Sequence, residues 1–375
     1  MEHTLPPFGT FFLPGPTEVR RPVLEAMLQP MLPHRGAVFE ALFARLQDGL
    51  RPVFRTARPV YVSSSSATGL MEAAIRCAPP GPILALVNGA FSERFANIAT
   101  ACGRETHTLS IPWGEVADLS VVEDALRATA FAAVTVVHSE TSTGALTDLP
   151  TLVALAHRYG AALLVDSVTG LAGAPVETDG WDIDFVLTGS QKALALPPGL
   201  AFGVASASYI AKAKATASTH AARGLYFDLV EFEQYVHKHQ TPNTPALSLL
   251  YAAVEQCEWI AKEGIEARWD RHAAMANMIH AWVQRLADET GQPFDVFAPT
   301  GRRSPTVTAI RVPSSLTGER IVQRVASHGY VIGGGYGQLK STTFRIGHMG
   351  DHTLDGLARC LEITRQSIHE LLAGS

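Results

Sequence analysis

Asp182-Ile-Asp-Phe-Val-Leu-Thr-Gly-Ser-Gln-Lys192-Ala-Leu-Ala-Leu-Pro-Pro-Gly199 runs from a strand-like apolar stretch through a Thr-Gly-Ser turn to a lysine, then into apolar residues closed by Pro-Pro-Gly. A lysine in such surroundings meets little water. Desolvation penalises the ammonium form, lowers the pKa and leaves an amine suited to attack a carbonyl as a Schiff-base nucleophile. Taken alone, the same pattern also fits a surface lysine at a strand end. Upstream, Ala161-Ala-Leu-Leu-Val165 ends in Asp166, an aspartate at the C-terminal end of an apolar strand, where open α/β sheets bind ligands. An aspartate there also serves as a turn or helix cap. The pairing with Lys192 strengthens the ligand reading, because the residues between the two leave room for one crossover helix and the next strand.

Outward from this stretch, short apolar runs alternate with amphipathic ones between about residues 60 and 240. Val60–Ser63, Ile83–Val87, Ala132–Val137, Ala161–Val165, Phe185–Thr188 and Ala201–Ala205 read as strands; Gly69–Cys77 and Leu149–Tyr159 read as helices. The alternation predicts an α/β fold with a mostly parallel sheet covered by helices on both faces. From Pro245 two long helical periodicities follow, ending at Gly264 and Gly291. Beyond Arg303 come a strand (Thr306–Val312), a helix (Thr317–His328), strand-like Tyr330–Gly333 and Thr342–Ile346, and a last helix from about Thr353, the pattern of a small α+β domain. The expected division is an N-terminal segment (1–20) packing on the small domain, a large domain (21–260), and an interdomain helix with the small C-terminal domain (261–375).

With 375 residues, 47% hydrophobic and 17% charged, the chain can bury a large core and is too apolar to be disordered. Its 35 acidic and 30 basic residues give a net charge of -5 without basic blocks, which argues against nucleic acid or a membrane surface as partner. Cys77, Cys102, Cys257 and Cys360 lie far apart without metal-ligand spacing and read as reduced thiols. The N-terminus lacks a basic region followed by an apolar one, and no stretch approaches the roughly 20 apolar residues that span a bilayer. A soluble, cytoplasmic protein is expected.

Tyr61-Val-Ser-Ser-Ser-Ser-Ala-Thr-Gly69 precedes a helix, and hydroxyls with free N–H groups at a helix N-terminus suit a phosphate, although ordinary caps look the same. Together with LPGPTEV, VNGAFSERF, HSETSTG, VDSVTGLAG, TGSQKALALPPGLA, NTPALSLLYA, IGGGYG and FRIGHMG, this makes the chain similar, almost end to end, to the class V aminotransferases of fold-type I pyridoxal-phosphate enzymes. The resemblance is to the alanine–glyoxylate, serine–glyoxylate and serine–pyruvate group. It implies a pyridoxal 5′-phosphate cofactor held by Lys192 as a Schiff base, with Lys192 also the proton carrier, and Asp166 paired with the pyridinium nitrogen. It further implies Phe91 stacked on the ring, Thr141 at the ring hydroxyl, and Ser66, Ala67, Thr68 and Gln191 at the phosphate. Asn243 and Thr244 would reach the phosphate of a neighbouring subunit, making the active unit a homodimer, and Arg345 would grip the substrate carboxylate.

The implied reaction is ping-pong transfer of an amino group from alanine or serine to glyoxylate or pyruvate. Two features depart from the family pattern: Ser-Ser-Ser-Ala-Thr replaces a glycine-rich phosphate loop, and Gln240 stands where some relatives have tyrosine. A lyase or desulfurase of the same superfamily is the alternative, but it calls for a mobile cysteine and a histidine before the lysine, where this chain has Gln191. A non-catalytic subunit keeping the fold is a further alternative, disfavoured by the presence of Lys192, Asp166 and Arg345 together. No metal is expected: His237/His239 and His348/His352 lack a carboxylate at ligand spacing and read as solvated or helix-end residues. His348 is also a candidate lining residue of the substrate pocket. Gly333–Gly337 reads as a mobile loop beside the substrate, and His34-Arg35 as a border of the site entrance or a surface turn.

Overall fold

The computed structural model describes residues 7–216 and 223–374. The expected N-terminal segment therefore falls partly outside the described residues. Seven strands form the main sheet in the order Tyr61–Ser63, Ala201–Ala205, Phe185–Gly189, Ala162–Asp166, Ala133–Val137, Ile83–Val87 and Thr106–Ser110. Only Ala201–Ala205 runs against its neighbours; the other pairings are parallel. Every residue of the four strands Ala133–Val137, Ala162–Asp166, Phe185–Gly189 and Ala201–Ala205 is buried. Successive strand side chains point to opposite faces, so continuous burial means that both faces are covered. Helices Ala67–Cys77, Ala90–Ala101 and Leu149–Arg158 supply part of that cover.

A second sheet takes the order Phe11–Phe12, Val331–Gly334, Thr343–Gly347, Val307–Arg311 and Asp295–Val296. Phe11–Phe12 pairs in parallel with Val331–Ile332, so the N-terminal segment is an edge of this sheet. Phe12, Phe344 and Ile346 share one apolar cluster with Ile321, Leu357 and Trp282 from the helices Gly318–Ser327, Leu354–Ala373 and Ile265–Thr290. Gly333 ends the expected strand, and Gly334 extends it, which corrects the expected glycine loop at that residue; Gly335 and Tyr336 lie outside it and Gly337–Leu339 is a 3-10 turn. At Gly333 the reason for glycine is steric: a Cβ there would come within 2.6 Å of Pro14 Cδ, so only glycine lets the N-terminal segment cross this strand.

The two sheets are joined by a seam of buried charge. Arg268, on the long helix and 1% exposed, donates from Nη1 to Asp351 (2.9 Å) and Glu263 (2.8 Å), and from Nη2 to the Ala193 carbonyl (2.7 Å). Asp351 also accepts from Arg20 Nε at 2.8 Å and from Gln256 Nε2. A buried charge of this kind demands an opposite charge beside it, because a charge left alone in the interior is costly. One arginine thereby ties the residue after Lys192 to the turn that follows the Arg345 strand.

Candidate active site

At the C-terminal ends of the parallel strands lies a cavity of about 170 Å³. Ser66, Ala67, Thr68, Phe91, Thr141, Asp166, Gln191 and Lys192 all line it, with Met71, Arg94, Val137, Ser139, Val168 and Thr169. Sequence positions from 66 to 192 converge because each sits at a strand end or on the helix that follows. Ser66 is the N-cap of helix Ala67–Cys77, and no side chain caps that helix. Among the described residues the Ser66 and Thr68 hydroxyls make no hydrogen bond, so free N–H and O–H groups face the cavity at a positive helix end.

Lys192 is 7% exposed. Its Nζ donates to the Pro14 carbonyl and lies 5.9 Å from the centre of the Phe91 ring. A Cβ on Gly15 would overlap the amine, so the N-terminal segment can lie across Lys192 only as glycine. Thr17 holds the backbone of this turn: its N–H donates to the Gln191 carbonyl at 3.0 Å and its hydroxyl to the Lys192 carbonyl at 3.1 Å. Burial first and the charge of Arg345 second lower the amine to about 8, against the opposing pull of Asp166 and Glu140. Asp166 moves the other way, to about 7, because burial resists its charge and Glu140 repels it, while the Val168 N–H, Lys192 and Arg94 favour it. Only its Oδ1 is bonded, by Val168 N–H at 2.8 Å, leaving Oδ2 for a partner in the cavity.

Arg345 is not among the residues lining this cavity, but it stands next to them. Phe344 and Ile346 are fully buried on the opposite face of their strand, which turns Arg345 the other way. Its Nε donates to the Gly334 carbonyl at 2.8 Å and its Nη1 to the Thr141 carbonyl at 3.1 Å. A guanidinium has five N–H donors in a fixed fork, so Nη2 and one hydrogen of Nη1 stay free for an end-on carboxylate. The Tyr336 ring lies 5.4 Å from its carbon.

Asn243 and Thr244 do not reach this cavity. They line a separate cleft with Ser63, Ser64, Tyr226 and Phe232. Arg35 holds that segment by donating to the carbonyls of Thr241 (2.7 Å) and Pro242 (3.0 Å), so its role is to fix a loop. His348 is fully buried against Thr308 and is absent from the cavity lining. His352, expected to be solvated, is instead buried and stacked on Phe12 at 4.2 Å, since the Phe11–Phe12 strand covers it. His237 closes a helix beside Glu233 as expected. Among the described residues no group of three or more His, Cys, Asp or Glu could hold a metal, and no helix is long and apolar enough to cross a membrane. Burial pushes the Cys77, Cys257 and Cys360 thiols up to about 12, and no cysteine lines the cavity, which leaves no thiolate for chemistry there.

Sequence reasoning missed Glu140, Arg94, Thr169 and the Pro14 carbonyl. Arg94 lies one helical turn beyond Phe91, and that spacing could have found it; Pro14 and Glu140 become neighbours only through the fold.

A family model described as aminotransferase class V matches residues 66–329. An uncharacterised aminotransferase of Methanocaldococcus jannaschii is 36% identical over 90% of this chain and 87% of its own length. Serine–glyoxylate aminotransferase of Methylorubrum extorquens is 31% identical over 91% of this chain and 86% of its own. The crystal structure of alanine–glyoxylate aminotransferase from Nostoc sp. superposes with a TM-score of 0.90 at 30% identity, covering 98% of this chain and 97% of that one.

Removing the Arg345 charge should raise the Lys192 amine above its value near 8. In the ligand-free chain, reductive methylation of Lys192 followed across pH by mass spectrometry is expected to show the reactive amine appearing at higher pH in Arg345→Gln. An identical midpoint in both proteins, or one near the ordinary lysine value, contradicts the electrostatic account.

Proposed function

The chain belongs to the class V aminotransferases, pyridoxal 5′-phosphate enzymes, and within their alanine/serine–glyoxylate group we propose that it moves an amino group from alanine or serine to glyoxylate or pyruvate, with Lys192 carrying the cofactor. The observation that carries this reading is the pairing of a desolvated amine with a half-partnered buried carboxylate across one cavity. The residues present fit the cofactor. The uncapped helix end with the free Ser66 and Thr68 hydroxyls suits its phosphate, beside the Gln191 amide. The open Oδ2 of Asp166 suits its ring nitrogen, and Phe91 offers a flat face toward Lys192. Thr141, whose hydroxyl is 2.5 Å from that of Thr169, suits the ring hydroxyl.

When bound, the cofactor supplies a conjugated electron sink for the carbon that bears the amino group. The chain does the rest. Lys192 Nζ, which burial makes easier to deprotonate than an exposed lysine, is the nucleophile that holds the cofactor and the base that carries the proton away from the substrate Cα. Asp166, once opposite a ring N–H, is held as a carboxylate and keeps that proton in place. Arg345 orients the substrate through its carboxylate, and its anchors on Gly334 and Thr141 keep the fork from swinging away. The N-terminal segment across Lys192 excludes water.

Asn243 and Thr244 serve, in this reading, the phosphate of a second copy of the chain. Their position in a cleft apart from the Lys192 cavity supports it. Gln240, in place of the tyrosine of some relatives, is held by Glu40 at 2.8 Å.

Adding single amino acids to the cofactor-loaded protein and following its visible absorbance tests the substrates: alanine or serine is expected to shift the spectrum and release the matching 2-oxo acid. Arg345→Ala is expected to keep the cofactor but to lose about 2–5 kcal/mol in kcat/KM for every donor. Full activity in Arg345→Ala means that the carboxylate is held elsewhere. For the dimer, mixing inactive Lys192→Ala subunits with Asn243→Ala/Thr244→Ala subunits is expected to restore turnover, because each hybrid rebuilds one intact site. No recovery on subunit exchange refutes the sharing.

A further inference from the structure

We propose that Glu140 is a positioning residue whose buried carboxylate fixes where Phe91 lies over the cavity; this rests on reading that cavity as the cofactor site. Glu140 is 0% exposed. It sits on the short strand Ser139–Glu140, paired with Ala145–Leu146, and its neighbours are donors. Oε1 accepts from the N–H groups of Phe91 (3.3 Å) and Ser142 (3.1 Å) and from the Ser142 hydroxyl (2.6 Å). Oε2 accepts from the Ser92 N–H at 3.0 Å, with the Ser92 hydroxyl at 3.1 Å.

Phe91 and Ser92 stand in the first turn of helix Ala90–Ala101, whose N–H groups have no partner within the helix. The residue in the capping position is Gly89, which has no side chain to offer. Glu140, 48 residues from Ser92 in sequence, does that work instead, and Ser142 Oγ accepts the remaining Ala90 N–H at 3.1 Å. The fit is close enough to dictate the glycine: a Cβ on Gly89 would overlap the Glu140 carboxyl and lie 2.6 Å from Ser142 Oγ. A carboxylate at a helix N-terminus is favoured both by the unpaired donors and by the helix dipole.

Phe91 is the second residue of this helix, so its backbone is part of the clamp. Its ring is held far more loosely. It is half-buried, tilted 30° against Tyr336 at 5.4 Å, with Arg94 at 5.8 Å and Lys192 at 5.9 Å from the ring centre. Direction must therefore come from the helix end, and that end is set by Glu140.

The test is a double-mutant cycle read by cofactor binding. Protein stripped of cofactor is titrated with pyridoxal 5′-phosphate in wild type, Glu140→Gln, Phe91→Ala and the double variant, with the visible circular dichroism of the bound cofactor as a second signal. Glutamine keeps the shape but turns an NH₂ toward backbone donors. Glu140→Gln is expected to weaken binding by about 5- to 100-fold, as for an unsatisfied buried hydrogen bond, and to change the dichroic band. The double variant is expected to bind no worse than Phe91→Ala, since Glu140 acts through that ring. Losses that multiply in the double variant, or wild-type affinity in Glu140→Gln, overturn the proposal. Should Glu140→Gln not fold, Glu140→Asp, which keeps the charge but withdraws it by one methylene, enters the same cycle. A wild-type chain that binds no pyridoxal 5′-phosphate overturns the reading of the cavity itself, an outcome distinct from a failed cycle.

Discussion

A primary amine kept out of water is the constraint around which this molecule is arranged. Lys192 cannot be desolvated by the turn that carries it, which is only the end of one strand. The cover comes from elsewhere: the Pro14 carbonyl and side-chain-free Gly15 lie across the amine, and Thr17 bonds the Gln191 and Lys192 backbone. Arg268 then fastens the Ala193 carbonyl to Asp351. The N-terminal segment, the long helix and the turn after the Arg345 strand thus meet at the turn that carries Lys192. The segment that covers the amine is also an edge strand of the second sheet, so the cover is held in place by that sheet.

Dryness has an electrostatic counterpart. The amine falls to about 8 while the Asp166 carboxyl rises to about 7, opposite movements with burial as the first cause of both. Each group is less stable charged than it would be in water, and in the proposed reading a cationic ring nitrogen facing Asp166 would relieve that penalty. The cavity is in this sense incomplete in its charges, and the incompleteness favours a cofactor with a basic ring and an anionic tail. Arg345 belongs to the same balance, since its charge also lowers the lysine.

Much of this was legible in the sequence, for a physical reason. Buried parallel strands are continuous apolar runs, so Ile83–Val87, Phe185–Gly189 and Ala201–Ala205 stand out, and the residues after them are then candidates by position alone. The edge strand Thr106–Ser110 carries no such mark: it is polar, has no buried residue, and is absent from the strands read from the sequence. Gly334 looked like a loop because glycine usually means one, whereas it closes a strand; at Gly333 the glycine means close passage of Pro14. His352 looked solvated because nothing local shows that Phe12 will stack on it. Glu140 was invisible because a carboxylate that caps a helix 48 residues away leaves no local pattern. Spacing reveals what the chain does to itself nearby and is silent on what distant segments do to each other.

The central claim is that this particular amine forms the covalent link to the cofactor. Reducing the cofactor-loaded protein with borohydride, digesting it and mapping the modified peptide by mass spectrometry measures that directly. The account expects the pyridoxyl group on Lys192, in the peptide containing Thr188-Gly-Ser-Gln-Lys192. Stoichiometric label on another lysine, or bound cofactor with no reducible link at all, would contradict it.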